Sequence, residues 1–496
     1  MPDLPSTNFP YPYHAAFVVF YLLVLVGLGA AKSGKIKNQE EFSLAGRNLG
    51  LVVLVGTLLA TWIGTGSIFG NAQQTYRLGL GAFIIPLGGV LGILVLSTLA
   101  GKIRRIEGMS IQDILDARFG KVVRLLATLT LVLAYVIIVS YQYRAGASVV
   151  ERLVPGIGSG QATCIVAAFV IAYTALAGMI SVAYTDLANG ILITVGILIA
   201  LPLLYFQAGA MSGIEATLQK PELAAVADFG HALSAINVIN WCLPPFLLIL
   251  GDANMYQRFF SARSPSVAKR GAILLIAGIA VLETAIIAVA FLGRVLVEQG
   301  ALPAPANQAH IVVALAFDVL PPFLGAVLMG TIIAVVVSTA DSFLLAPATA
   351  IVRDVTLTRA AETGDGVATG RRDVLLSRII VVVFGLAALS LAFASDEFFG
   401  IALFAYTVYG ASVTPVLIAV FFWKRATKAG AIASMCSGLV VALWWQWMQH
   451  TKSFVQGSMA AEVDAVLPAL LAACIALVGV SLLTADTGRR TNPRAH

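Results

Sequence analysis

The chain has 496 residues, 59% of them hydrophobic and 11% charged, with a mean hydropathy of +0.92. Soluble domains carry about 25% charged residues, so this composition excludes a soluble globular protein and fits a polytopic membrane protein. The formal charge of +6 and pI near 9.1 would suggest nucleic acid in a soluble protein. Here the position of the basic residues matters more than their sum, and no nucleic-acid partner is expected.

Met1 to His14 is rich in proline and aromatics and lacks a basic n-region, so the first apolar run is expected to be a retained span. Apolar runs of roughly 20 residues mark spans. Thirteen are predicted: 14–31, 49–71, 78–101, 125–150, 160–178, 183–206, 235–256, 271–293, 320–350, 376–395, 398–422, 430–449 and 465–485. With the N-terminus outside, 25 of the 31 lysines and arginines fall in inner segments, Arg258 among them. That asymmetry predicts an external N-terminus and a cytoplasmic C-terminus. The outer loops 207–234 and 294–319 are long and contain Pro221, Pro303 and Pro305, and 360–373 reads as a flexible inner linker. Cys164, Cys242, Cys436 and Cys474 lie in apolar segments without ligand-like spacing and read as small core residues.

The second span is interrupted by Gly64, Gly66 and Gly70. Glycine weakens a helix interior by roughly 0.5–1 kcal/mol relative to alanine, and a freed carbonyl in hydrocarbon needs another partner. These glycines permit either close helix packing or an unwound turn lining a cavity. Five spans later, Gly251 and Asp252 interrupt the seventh. Corresponding breaks in two five-span halves point to an inverted-repeat transporter with its site at the midplane.

Ionisable side chains at the bilayer centre cost about 2.5–3.5 kcal/mol, so each needs a reason. Asp341 lies in Ser338-Thr-Ala-Asp-Ser342, where Ser338, Asp341 and Ser342 share a helix face and Thr339 lies beside them. An all-oxygen face suits a hard cation such as Na⁺, completed by carbonyls freed near Ala60 and Ile63. Asp186, near the start of the sixth span, reads from the residues alone as a helix cap. Glu283 could relay protons or pair within the bundle. Arg144 could clamp a solute carboxylate or neutralise Asp252 or Glu283. Trp62, next to the break, either packs ordinarily or offers its face to a cation. The five histidines sit in or beside outer loops or at the terminus, no enzyme constellation is present, and no GxxxxGK[ST] segment supports ATP-driven transport.

These segments resemble the sodium/solute symporter family, whose members share the LeuT-type fold. Glu41-Phe-Ser-Leu-Ala-Gly-Arg-Asn-Leu-Gly50 is similar to its first cytoplasmic loop and Leu59-Ala-Thr-Trp-Ile-Gly64 to its broken helix. Ala175 to Asp186, Tyr256-Gln-Arg258, Ser338 to Ser342 and Phe422-Trp-Lys-Arg425 are similar to further family signatures. The resemblance implies an all-α membrane protein with a five-plus-five inverted repeat and broken second and seventh helices. Its parts would be 1–48 (outer segment, first helix and first inner loop), repeats at 49–206 and 235–423, an outer loop at 207–234, and two further helices with an inner tail at 424–496. It further implies Na⁺-driven symport of a small organic solute in the inner (plasma) membrane, with the protein a monomer or weak oligomer.

A main sodium site would fall on Ala60, Ile63, Val335, Ser338 and Thr339. A second sodium site, present in some members, would use Asp186, Ser338, Asp341 and Ser342, which replaces the cap reading of Asp186. Trp62, Gln73, Tyr141, Arg144 and Asp252 are the expected solute contacts. Two motifs look most like those of high-affinity choline transporters, so a quaternary amine such as choline stands beside proline, pantothenate and carboxylates. A proton-coupled carrier and a transport-inactive solute sensor remain as alternatives.

Overall fold

The computed structural model describes residues 12–33, 39–106, 108–176, 178–231, 233–363, 371–393, 398–451 and 459–485. Among them every regular element is a helix, apart from one isolated bridge between Leu49 and Ala262. The main helices are α1 (Pro12–Ser33), α2 (Leu51–Trp62), α3 (Asn71–Leu78), α4 (Leu87–Ile103), α5 (Ile111–Phe119) and α6 (Lys121–Leu153). There follow α7 (Ser159–Leu176), α8 (Met179–Gln207), α9 (Ala235–Gly251), α10 (Ala253–Ser261), α11 (Pro265–Glu298) and α12 (Ile311–Asp318). The chain ends with α13 (Pro322–Thr363), α14 (Arg371–Ala392), α15 (Phe399–Phe422), α16 (Lys428–His450) and α17 (Val466–Ala485).

Ten helices of the described residues are long and apolar enough to cross a bilayer, or 11 when α2 and the segment Gly66–Ile84, bent by 49°, count as one. Local chemistry sets many of the boundaries. Ser234, Ser264 and Thr427 cap α9, α11 and α16 through their hydroxyls, with Pro265 opening α11. The boundary between the fifth and sixth predicted spans falls at Gly178, whose φ of +89° reverses the chain ahead of Met179. Asp186 therefore lies two turns inside α8 and does not cap it. Short helices, including Ala210–Leu218, occupy the outer loop 207–234, while 364–370 of the inner linker lie outside the described residues.

Central helices are the most shielded. In the apolar window of α13, 89% of residues are buried, against 28% for α14 and α17, which places α13 in the interior. Cys164, Cys436 and Cys474 are exposed on the apolar surface rather than packed in the core, because their helices turn those faces outward.

Two joins hold one end of the bundle. Arg124 of α6 pairs with Asp113 at 3.0 Å and Asp116 at 3.2 Å around α5, and also with Asp354 of α13. Leu49, ahead of α2, donates its N–H to the Ser261 carbonyl at 3.0 Å and accepts from the Arg263 N–H at 2.9 Å. At the other end of the bundle, Asn240 of α9 donates to the Glu462 carbonyl at 2.8 Å and accepts from the Asp464 N–H at 3.0 Å.

Candidate functional site

The site begins where α2 stops. Ile63 leaves the helical region (φ −71°, ψ 88°), and residues Gly66–Gly70 resume as a single π turn before α3. A helix end leaves its last carbonyls without amide partners. Leu59 recovers one from the Ile63 N–H at 2.9 Å, while the Ala60 carbonyl faces the Ser338 hydroxyl of α13 at 3.1 Å. Next to this contact, α13 closes on the bend, since a Cβ built on Gly64 would lie 3.3 Å from the Thr339 hydroxyl. Thr339 Oγ1 is buried and has no hydrogen-bond partner among the described residues. Val335, one turn earlier, is fully buried.

Ser338 also donates to Asp186 Oδ1 at 2.6 Å. Its one hydroxyl proton serves Asp186 or Ala60, not both, so the oxygens around it outnumber the protons available. The other Asp186 oxygen accepts from Thr57 at 2.5 Å and from Arg258 at 3.0 Å. Arg258 continues to Ser342 at 2.7 Å and to Thr57 Oγ1 at 3.0 Å. The arginine counted above among inner loop bases is thus wholly buried, because α10 folds back into the bundle. Asp341 lies beside this cluster, wholly buried, with Oδ2 unpartnered among the described residues. Asp186, Ser338, Asp341 and Ser342 do converge, with a guanidinium among them.

On the other side of the bend lies a small central cavity of about 60 Å³. Trp62, Tyr141 and Asp252 line it, as do Gln142, Trp241, Glu283 and Tyr406. Glu283 of α11 joins both halves of the bent span. It accepts from Trp62 Nε1 at 3.1 Å before the break, and from Ser67 Oγ at 2.6 Å and Asn71 Nδ2 at 2.7 Å after it. The Trp62 ring fits only because residue 89 is glycine, where a Cβ would meet it at 2.3 Å. Asp252 caps α10, accepting from the Asn254 and Met255 amides at 2.6 and 3.1 Å, and from Tyr135 at 3.1 Å.

Two expected solute contacts lie elsewhere. Gln73 is buried on α3 but does not line the cavity. Arg144 is also absent from the wall; it lies in the C-terminal half of α6, where its charge acts on His310. Ser67, Asn71 and Gln142 were not among the expected site residues, and Glu283 was singled out as an intramembrane acid but not as part of the solute cavity. Ser67 and Asn71, four apart directly after the break, present two donors on one helix face, the sequence signal for a facing acid.

The bend, the oxygen cluster and the cavity are the parts of a solute carrier, and comparisons with known proteins agree. The Sodium:solute symporter family model matches residues 42–438. The human High affinity choline transporter 1 is 26% identical over 86% of this chain and 76% of its own length. The Sodium/pantothenate symporter of Escherichia coli (strain K12) is 25% identical over 86% and 88%. The Sodium/proline symporter of Salmonella typhimurium is 24% identical over 92% and 93%. A solved Na⁺-coupled sialic acid symporter superposes with a TM-score of 0.79 at 18% identity, covering 95% of this chain and 97% of its own. MhsT in complex with L-phenylalanine superposes with a TM-score of 0.51 at 16% identity, over 88% and 98%. These likenesses give the fold, which is LeuT-like. The chain is a transporter rather than an enzyme, and it belongs to the sodium:solute symporter family.

Proposed function

We propose that this protein carries a small organic solute together with Na⁺ by alternating access. The observation that carries the reading is the meeting of Ala60 and Ser338 across the bend, with the unpartnered Thr339 hydroxyl alongside. Hard-cation ligation needs several neutral or anionic oxygens from more than one element, and two elements supply them here. Ala60, Ile63, Val335, Ser338 and Thr339 form the sodium site in this reading. Asp186, Ser338, Asp341 and Ser342 form a second site into which Arg258 already projects. Trp62, Tyr141 and Asp252 face the solute, and a quaternary amine such as choline is the first to test.

Na⁺ at Ala60 orders the bend, and Trp62 lies two residues further on. Ordering one therefore lowers the cost of ordering the other, a coupling that must be reciprocal. The architecture proposed with this has 13 spans, counting the bent pair and the shorter apolar helices α1 and α4 with the ten long ones. They form two inverted repeats, 49–206 and 235–423, broken at the second and seventh spans, in the plasma (inner) membrane of the cell with the N-terminus outside. The protein acts as a monomer or weak oligomer.

Uptake into proteoliposomes is the test. Uptake that follows an inward Na⁺ gradient and stops in K⁺ supports the reading; uptake driven by a pH gradient without Na⁺ replaces it with a proton-coupled carrier.

A further inference from the structure

The second oxygen cluster already contains a cation, and that cation belongs to the chain. Nη2 of Arg258 donates to Asp186 Oδ2 at 3.0 Å and to Ser342 Oγ at 2.7 Å. This nitrogen carries two protons, one for each contact. A metal ion bridging Asp186 and Ser342 would compete with it for the same two oxygens. The rest of the guanidinium is committed as well, with Nε donating to the Thr57 hydroxyl at 3.0 Å and Nη1 to the Asn254 carbonyl at 3.3 Å. The side chain is 1% exposed, and a guanidinium does not give up its proton, so the charge stays.

Most other oxygens of the cluster are engaged too. Asp186 Oδ1 accepts from Ser338, and Ser342 donates to the Ser338 carbonyl at 2.9 Å. Asp341 Oδ1 faces the Ser342 hydroxyl at 3.4 Å, while its Oδ2 has no partner among the described residues.

Charge decides how many further ions fit. Asp186 and Asp341 are both wholly buried, and with Arg258 they leave one negative charge in the cluster. Asp252 answers instead to the Asn254 and Met255 amides at the start of α10. The sodium site alongside offers only carbonyls and hydroxyls, and it shares Ser338 with the cluster. One Na⁺ there brings the two sites together to neutrality, with Asp341 as the counter-charge two residues beyond Thr339. A second Na⁺ would leave an unbalanced positive charge in a buried place, which is costly.

Resting on the symport reading above, we propose that Arg258 is a resident substitute for a second sodium ion, so that one Na⁺ is carried per cycle. The arginine holds the second site throughout, and Asp341 supplies the charge that the first site lacks.

The test counts radioactive Na⁺ bound at saturation by the purified full-length protein, with K⁺ as the replacement ion. The unaltered protein is expected to bind one Na⁺ per chain. Two ions overturn the proposal, whatever the variants do, and leave sodium symport standing. No saturable Na⁺ binding removes the symport reading and the proposal together. Arg258→Gln empties the second site, so it should bind two ions and gain more thermal stability from Na⁺ than the unaltered protein does. A folded Arg258→Gln that still binds one ion, with no extra stabilisation, overturns the proposal. Asp341→Asn removes the counter-charge and leaves Arg258 in place, which keeps the question open to test even where Arg258→Gln does not fold. Its single Na⁺ should bind about tenfold or more weakly, with no loss of thermal stability in K⁺. Unchanged Na⁺ affinity in Asp341→Asn also overturns the proposal.

Discussion

Arg258 and Asp186 meet at 3.0 Å with side chains 1% and 0% exposed, in the middle of the oxygen cluster between α2, α8 and α13. Removing one partner of such a pair strands the other charge and typically costs 3–5 kcal/mol. Arg258→Met and Asp186→Asn should each lower the melting temperature in detergent markedly. The double variant should be less damaged than the sum of the two. Strict additivity would show that the two groups do not stabilise each other.

Thr339 and Ser338 should separate when truncated. Thr339→Ala removes a hydroxyl that has no protein partner among the described residues, so stability should change little. The Na⁺ concentration for half-maximal uptake should rise about tenfold, the loss of about 1.4 kcal/mol, with the order of solute preference kept. Ser338→Ala also loses the bond to Asp186, and should cost a further 1.5–3 kcal/mol of stability, roughly the value of a hydrogen bond to a charged group. An unchanged sodium dependence in Thr339→Ala would remove that hydroxyl from the site.

Gly89→Ala tests the seat of Trp62. The new methyl would overlap the indole, which must turn and release Glu283. Overpacking of this kind costs about 1–3 kcal/mol. Uptake should fall sharply while the protein still reaches the membrane. Gly50→Ala, where nothing lies within 4 Å of the added atom, is the matched control and should leave uptake unchanged.

His310 gives the protein an acid-sensitive segment ahead of α12. Burial, then the positive charges of Arg152 and Arg144, lower its pKa from 6.5 to about 4. Its ring meets Phe69 and Phe398 edge-on, each at 6.0 Å. Between those two pKa values the unfolded chain takes up a proton that the folded protein refuses, so stability drops as pH falls from 6.5 toward 4 and is unaffected above that window. The loss should approach about 3 kcal/mol at most. Melting curves of the protein and of His310→Gln across this range should converge at neutral pH and separate in acid, with the variant losing less.

Much of this was legible in the chain, for identifiable reasons. The bend at Ile63 could be read because three glycines within seven residues act locally on the helix. The meeting of Ala60 with Ser338, 278 residues apart, was reached by asking which freed carbonyls could complete an all-oxygen helix face, and the family resemblance implied the same residues. Glu283 was visible as a charge in an apolar run, but its donors lie 212 to 221 residues away, so its task was not. Arg258 was misplaced because an arginine after an apolar run reads as a loop residue. Only the return of α10 into the bundle reveals the carboxylate it meets. Arg144 and Gln73 were chosen by residue type, and type says nothing about which way a helix is turned.

The bridge at Leu49 is a contact between distant segments made without side chains. It ties the entry to α2 to the turn after α10 through peptide groups alone. Every residue except proline brings the same N–H and C=O, so the join is blind to side-chain identity and can persist while the neighbouring sequence drifts. Leu49→Pro or Arg263→Pro would each delete one of its two bonds. Other replacements of the exposed Arg263 should leave both bonds in place, whereas Leu49, 4% exposed, is held by core packing as well as by its peptide group.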